Sequence, residues 1–480
     1  MKKQYETVIG LEVHVELATK TKIFCSCKTE FGKAPNTHTC PVCTGMPGSL
    51  PVLNEKVLEY AVAVGLATNC EITRYSKFDR KNYFYPDNPQ NYQISQLYAP
   101  ICHDGNVEIE VNGRKKSIRI HEIHMEEDAG KLIHDEWDDC TLVDYNRSGV
   151  PLIEIVSEPD MRSAEEVITY LEKLQMMIQY LGASDCKLQE GSMRADVNLS
   201  VREVGTVEFG TRTEMKNLNS FKAIARAIVG ETKRQIELLE EGKKVIQETR
   251  RWDDNKEYSY AMRSKEDAQD YRYFPEPDLV PIEISDDYIE QIQSKQPEFK
   301  DEKMARYRKD FGLPEYDADI LTGSKKIADI FEATTLLCNN PKKVSNWLMV
   351  ETMRLLKQHN MDPVSLSFSP KHLADFINMV EAREINGNVA KDVFEKIFLS
   401  DIDPVKYVDE KGLKSVVDET ALLTIATSLI EKNPQSVRDY RAGKKKAMGF
   451  LVGQMMKETK GKADPAVINR ILLDLLEDIK

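Results

Sequence analysis

The chain has 480 residues, a hydrophobic fraction of 41% and a formal net charge of −13, with an isoelectric point near 5.4. That length exceeds one hydrophobic core and predicts two or three domains, while the acidity excludes indiscriminate nucleic-acid binding and leaves room for a local basic patch. No apolar run approaches the roughly 20 residues that cross a bilayer, and the N-terminus enters a strand pattern without a signal-type apolar core, so a cytoplasmic location is expected.

In chain order, the first element is a strand over 9–17. Ile9, Leu11, Val13, Val15 and Leu17 alternate with Gly10, Glu12, His14 and Glu16, the period-two signature of a half-buried strand. Its polar face carries two carboxylates and an imidazole, donors that suit a divalent metal better than they suit plain solvation. A cysteine cluster follows. Of nine cysteines, Cys25, Cys27, Cys40 and Cys43 fall in a Cys-x-Cys and a Cys-x-x-Cys separated by twelve residues. Four thiolates so spaced fit a closed tetrahedral zinc that braces a loop; the alternative, two disulfides, is disfavoured in a cytosolic chain.

The polar-face pattern recurs. In 118–128 a break at His121 and Glu122 precedes Ile123 and Met125 alternating with His124, Glu126 and Asp128. A shorter strand over 152–156 carries Glu154, and in 193–201 the apolar Met193, Ala195, Val197, Leu199 and Val201 alternate with Arg194, Asp196, Asn198 and Ser200. The run 211–217 places Arg212, Glu214 and Lys216 together. Sharing one sheet, these faces form a floor of like charges that repel unless cations neutralise them.

Helices interleave with the strands. Ser163-Ala164-Glu165-Glu166 is a capping box before Val167, Leu171, Leu174, Ile178 and Leu181, and Gly182 is the stop. Ser220 opens a helix to about Gly242. Beyond Ile292 the pattern is helical, with helices expected over 303–311, 318–337 and 341–358. Pro370, the run Asp401-Ile402-Asp403-Pro404 and Lys432-Asn433-Pro434 punctuate it. The segment from Arg438 through Arg441 to Lys444, Lys445 and Lys446 is the sharpest basic cluster, with Lys457, Lys460 and Lys462 beyond it, a candidate footprint for a phosphate backbone. The expected fold class is α+β: a mainly antiparallel sheet domain over 1–292 with a zinc-binding loop at 25–43, an all-α domain over 293–405 and a small helical tail over 406–480. There is no Walker-type loop, no Gly-x-Gly-x-x-Gly after a strand and no Gly-x-Ser-x-Gly elbow, so any ATP must be gripped through carboxylate-held metals.

Several long runs together resemble one family. They are Val8-Ile9-Gly10-Leu11-Glu12-Val13-His14, Lys77-Phe78-Asp79-Arg80-Lys81-Asn82-Tyr83-Phe84-Tyr85-Pro86-Asp87 and His124-Met125-Glu126-Glu127-Asp128-Ala129-Gly130-Lys131, followed by the stretches from Pro151 to Asp160, Glu214 to Ser220, Asp270 to Asp278 and Lys446 to Gln454. Spanning nearly the whole chain, they are similar to the B subunit of the aspartyl/glutamyl-tRNA amidotransferases. The resemblance implies a cradle-like catalytic domain and a two-step reaction on glutamyl-tRNA(Gln) or aspartyl-tRNA(Asn). ATP phosphorylates the side-chain carboxylate, and ammonia from a partner amidase (A) subunit displaces the phosphate, with a small C subunit clasping the pair. The absence of an amidase-type Gly-Gly-Ser-Ser-Gly-Gly stretch agrees with an imported nitrogen source.

Under that resemblance Glu12, His14, Glu126, Glu127, Glu154, Asp196 and Glu214 are the candidate catalytic residues. Glu12, His14, Glu126 and Glu154 are the candidate Mg2+ ligands, and Lys81, Arg194 and Arg212 the contacts to ATP phosphate or acyl phosphate. Cys25, Cys27, Cys40 and Cys43 hold Zn2+, and Arg438, Arg441, Lys444, Lys445 and Lys446 meet the tRNA. Glu16 lies outside the matching run and is expected to face solvent. The residues alone also allow a two-metal phosphoesterase, or a zinc-braced tRNA-binding scaffold without chemistry of its own.

Overall fold

The computed structural model describes residues 3–135, 139–264, 271–414, 419–459, 463 and 465–478. The chain divides into two compact units, Met1–Phe299 and Lys300–Lys480.

The first unit is built on a nine-stranded sheet: β1 (Tyr5–Glu16), β2 (Glu71–Ile72), β3 (Cys102–Val111), β4 (Arg114–Glu127), β5 (Pro151–Ser157), β6 (Met193–Glu203), β7 (Thr213–Lys216), β8 (Glu248–Asp253) and β9 (Tyr258–Ser264). Their order across the sheet is β9-β8-β7-β6-β1-β5-β4-β3-β2, so the strand read first in the sequence lies at its centre. The apolar residues of the alternating strands, among them Leu11, Val13, Ile123, Ile155, Val197 and Leu199, are all buried in one core. Helices α1 (Glu55–Ala67), α2 (Ala164–Leu181) and α3 (Phe221–Glu240) bury Val62, Tyr170, Leu174, Ile178, Ile224 and Ala227 in the same core. One face of the sheet is thereby covered by helices, and the alternation sends the polar residues to the other.

The helix signals act where the sequence puts them. Ser163 accepts from the Glu166 N–H at 3.2 Å, and Gly182 ends α2 in the left-handed region at φ 68°. Glu166 departs from the standard box: its carboxylate accepts from the Arg162 N–H at 2.7 Å, one residue before the cap. Ser220 accepts from the Ala223 N–H at 3.1 Å to start α3. The break expected at His121 is a β-bulge, since Ile120 lies opposite Ser157 and Glu122 opposite Val156, which leaves His121 without a partner across this ladder.

All pairings in the large sheet are antiparallel except β7 with β8, which are parallel. The connection between those two contains α3, the kind of long crossover that parallel neighbours require. A second sheet of three strands, Asp79–Asn82, Tyr92–Ser95 and Arg272–Pro275, meets the end of β4. There Gln93 donates to the Glu127 carbonyl at 2.7 Å and the Met125 N–H donates to Gln96 at 2.9 Å.

The second unit is helical and holds two separate cores. One gathers residues from Tyr307 to Val408 around Phe331, Phe376 and Phe394, and the other runs from Leu422 to Leu476 around Leu451, Ile468 and Leu472. The expected helix over 318–337 is two, Glu315–Thr322 and Lys325–Cys338, because the backbone at Ser324 is extended and interrupts the helical path. The expected helix over 341–358 is continuous, with a π-helical turn at Trp347–Thr352. Among the described residues no helix is long and apolar enough to cross a membrane.

Candidate active site and four-sulfur site

Strand register decides which polar side chains meet. His14 on β1 lies between Glu154 on β5 and Arg194 on β6, and Glu154 in turn faces His124 on β4. One step along, Glu12 lies opposite Asp196, while Asn198 lies opposite Glu214 on β7. The floor therefore carries two trios whose donor atoms lie within 4.8 Å of one another: His14, Glu126 and Glu154, and Glu12, Asp196 and Glu214.

In the first trio His14 Nε2 lies 3.2 Å from a Glu154 oxygen and 3.7 Å from Glu126. His124 Nε2 lies 3.1 Å from the same Glu154 oxygen and 3.7 Å from Glu126. Glu126 is only 3% exposed and accepts from Ser95 Oγ at 3.3 Å. Burial works against charge on Glu154, but hydrogen bonds and charge from the two imidazoles outweigh it and hold its carboxyl well below the usual range. Conversely, burial opposes charge on His14 and is outweighed by Glu154 and Glu126, so the imidazole is held above its ordinary value. An imidazole and two carboxylates converging on one point form a donor set that fits a hard divalent ion.

The second trio is partly neutralised. Lys216 Nζ reaches Asp196 at 2.7 Å and Glu214 at 2.9 Å, and Thr249 Oγ1 donates to Glu214 at 2.6 Å. Glu12 has Asn198 as its donor at 2.9 Å; burial first, then the Glu154 charge, pushes its carboxyl up. Its two carboxylate neighbours and its own protonation tendency also fit a cation.

The structure sorts the sequence candidates. Glu12 is not in the His14 trio but one step along the strand, about 7 Å away by strand geometry. Glu127 joins neither trio: its carboxylate turns to the Ile94 N–H at 3.0 Å and Gln90 at 3.2 Å, and burial pushes it up to about 8. Glu16 is not solvated as expected. It meets Asp128, and burial, with the Asp128 charge next, raises it to about 8. Lys81, with its ammonium 4.8 Å from the Tyr271 ring centre, is held above its ordinary range because the charges of Glu126, Tyr273 and Glu154 outweigh burial. Arg194 reaches Asp128 at 3.2 Å, and its Nε is buried without a partner among the described residues. Arg212 is exposed and lines a cavity of about 270 Å³ with Glu12, Asn198, Ser157 and Phe209. His124 and Lys216 are contacts that the candidate set omitted, although both lie in the same alternations as residues that were chosen.

The four cysteines converge with all sulfurs within 4.8 Å, and all four are free thiols. Cys40 and Cys43 sulfurs are 3.9 Å apart, close to the roughly 3.8 Å that a tetrahedron with about 2.3 Å metal–sulfur bonds requires. A hydrogen bond with Cys25 and, against burial, the Lys22 ammonium pull the Cys43 thiol down to about 4. That donor set fits a metal that binds thiolates.

A family model described as the GatB/GatE catalytic domain matches residues 7–290, and one described as the GatB domain matches residues 329–476. The sheet with its paired trios is thus of the GatB/GatE catalytic class. Similar proteins, each named as the B subunit of an aspartyl/glutamyl-tRNA(Asn/Gln) amidotransferase, come from Agathobacter rectalis (74% identical over 99% of this chain and 100% of the relative) and Lachnospira eligens (69%, over 99% and 100%). A third, from Lachnoclostridium phytofermentans, is 68% identical over 99% of both chains. The chain belongs to the family of aspartyl/glutamyl-tRNA amidotransferase B subunits.

Proposed function

We propose that this chain is the carbon–nitrogen ligase component that activates and amidates a glutamate or aspartate carried on tRNA. In the first step an oxygen of the side-chain carboxylate attacks the γ-phosphorus of ATP and ADP leaves. In the second, ammonia adds to the acyl phosphate carbonyl, phosphate leaves, and Gln-tRNA(Gln) or Asn-tRNA(Asn) results. Ammonia comes from glutamine through a partner amidase, with a small third protein completing the complex.

The observation that carries this reading is the pair of carboxylate-rich trios side by side on the central strands of a family catalytic domain. His14, Glu126 and Glu154, and beside them Glu12, Asp196 and Glu214, would hold magnesium, which would supply charge neutralisation for the phosphate oxygens. The protein's own cations complete the site: Arg194, with its unused buried Nε, and Lys81 attract the transferring phosphoryl group and the acyl phosphate. We place the adenosine of ATP in the cavity bounded by Glu12, Asn198, Phe209 and Arg212. The four-sulfur site takes structural zinc, and the basic cluster around Arg438 and Arg441 takes tRNA. Both arginines are exposed, and Lys444 is paired with Asp439 at 3.0 Å. The side chain of Lys445 and the whole of Lys460 and Lys462 lie outside the described residues.

The test is ADP formation by the assembled complex with ATP, magnesium and no ammonia source. ADP that appears only when glutamyl- or aspartyl-tRNA is added supports carboxylate activation. Phosphate release that ignores aminoacyl-tRNA supports the two-metal phosphoesterase instead, and amidation unaffected by Glu154→Ala supports the scaffold.

A further inference from the structure

Lys22 is fully buried, at 0% exposure, and ranks among the largest completely enclosed side chains of the protein. Its ammonium lies 3.4 Å from Cys43 Sγ and 3.1 Å from the Tyr145 carbonyl. Its backbone N–H donates to the Cys27 carbonyl at 2.9 Å, so the residue is tied to both cysteine pairs of the loop. Gly149, at φ +79°, closes over it: a Cβ there would stand 3.6 Å from Lys22 Cδ and 3.4 Å from Cys43 Cβ. No carboxylate among the described residues lies within ion-pair distance of this ammonium. An enclosed lysine without a counter-charge is costly; the Glu127 carboxylate lines the same cavity but is engaged by Gln90 and the Ile94 N–H, and the ionisable group the ammonium itself touches among the described residues is the Cys43 sulfur of the cluster. Four thiolates around a divalent ion carry a net charge of −2, which supplies the missing counter-charge.

We propose that Lys22 is the charge-compensating positioning residue of the four-cysteine zinc site, a cation behind the sulfurs that requires the metal-loaded thiolates and in turn holds the metal in place. The inference rests on the zinc reading of those cysteines. Lys22 also joins the loop to the segment that follows Tyr145. In that segment Arg147 reaches Asp128 at 3.1 Å, and Asp128 is the partner of Arg194 at the end of the polar floor.

The test uses the full chain in its complex. Zinc content per chain is measured first, followed by transfer of zinc to a chromogenic chelator and mass-spectrometric labelling of lysines with an amine reagent. In the wild type Lys22 is protected while zinc is bound and becomes labelled once the chelator has removed it. Lys22→Met releases zinc about 10- to 100-fold faster, and with cobalt(II) in place of zinc its sulfur-to-metal charge-transfer band moves to lower energy, because a thiolate relieved of its ammonium gives up an electron more readily. Equal labelling of Lys22 with and without zinc needs no variant and overturns the proposal. So does a Lys22→Met protein with wild-type zinc release and an unmoved cobalt band. A wild-type preparation without bound zinc contradicts the zinc reading itself and with it the proposal, an outcome distinct from zinc held equally by wild type and variant.

Discussion

Glu154 shows at the scale of one residue how this site is held together. Two imidazoles share one of its oxygens, at 3.2 and 3.1 Å, so a carboxylate that burial would neutralise stays ionised. Glu231 on α3 is a comparable buried acid with a purely structural setting. Arg234, Gln235 and Thr213 donate to it at 2.6, 2.9 and 2.9 Å, and Arg250 stands 3.6 Å away. Burial opposes its charge and these donors outweigh it, so its carboxyl is held low. A depressed acid contributes stability that is present above its unfolded pKa of about 4.3 and is lost as pH falls through the folded value. Glu231→Gln is therefore expected to cost about 3 kcal/mol at neutral pH. Melts at pH 7 and below about pH 4 should show the gap to wild type narrowing; a gap independent of pH contradicts the assignment. Phe209, 63% exposed beside the cavity at Glu12, gives a second test. Phe209→Ala should raise the KM for ATP by about tenfold, roughly 1.4 kcal/mol of lost contact, with kcat nearly unchanged, whereas an unchanged KM moves adenosine elsewhere. Strict alternation in the sequence puts Glu12, His14 and Glu154 on the polar faces of their strands, and the structure brings those faces together. The sequence did not separate them into trios or pair Lys216 with Asp196, because that depends on which strands are neighbours, and alternation carries no information about strand order.

At the scale of elements, the signals that sequence carries well are local ones. The cap at Ser163, the stop at Gly182 and the bulge at His121 all follow from short-range chemistry and occur where the pattern put them. The parallel pairing of β7 with β8 and the addition of Arg272–Pro275 beside the strand of Lys81 were not legible, since both join residues more than 30 positions apart. Glu127 enters the candidate set through the matching run rather than through alternation: it is adjacent to Glu126 in the chain, adjacent strand residues point to opposite faces, and its carboxylate turns to the Ile94 N–H. The four-sulfur loop is legible because its spacing is itself the signal. Chelation of zinc, or Cys40→Ser, should lower the thermal midpoint by on the order of 2–4 °C for each kcal/mol lost. Calorimetry with parallel zinc analysis checks this, and a zinc-free protein with an unchanged midpoint removes the bracing role.

For the molecule as a whole, the proposed binding of tRNA by a chain of net charge −13 requires a local attraction. The last turn of the helix Pro434–Arg441 carries Arg438 and Arg441, and the exposed connection to the helix Lys445–Glu458 adds Lys444. Truncation after residue 413, beyond the last side chain packed on the first helical core, should weaken tRNA binding while the sheet domain stays folded. Arg441→Gln should flatten the log-log salt dependence of binding by about 0.9, taking the duplex-DNA value as a guide; an unaltered slope places the tRNA elsewhere. The central claim is that the two trios on the polar floor carry the chemistry. Amidation of glutamyl-tRNA by the assembled complex with free ammonia, ATP and magnesium bypasses the amidase partner and tests it most directly. Glu12→Ala, His14→Ala and Glu126→Ala should each lower the rate by at least about 100-fold, on the order of 2.7 kcal/mol of transition-state stabilisation, with tRNA affinity preserved; wild-type rates in all three contradict the account.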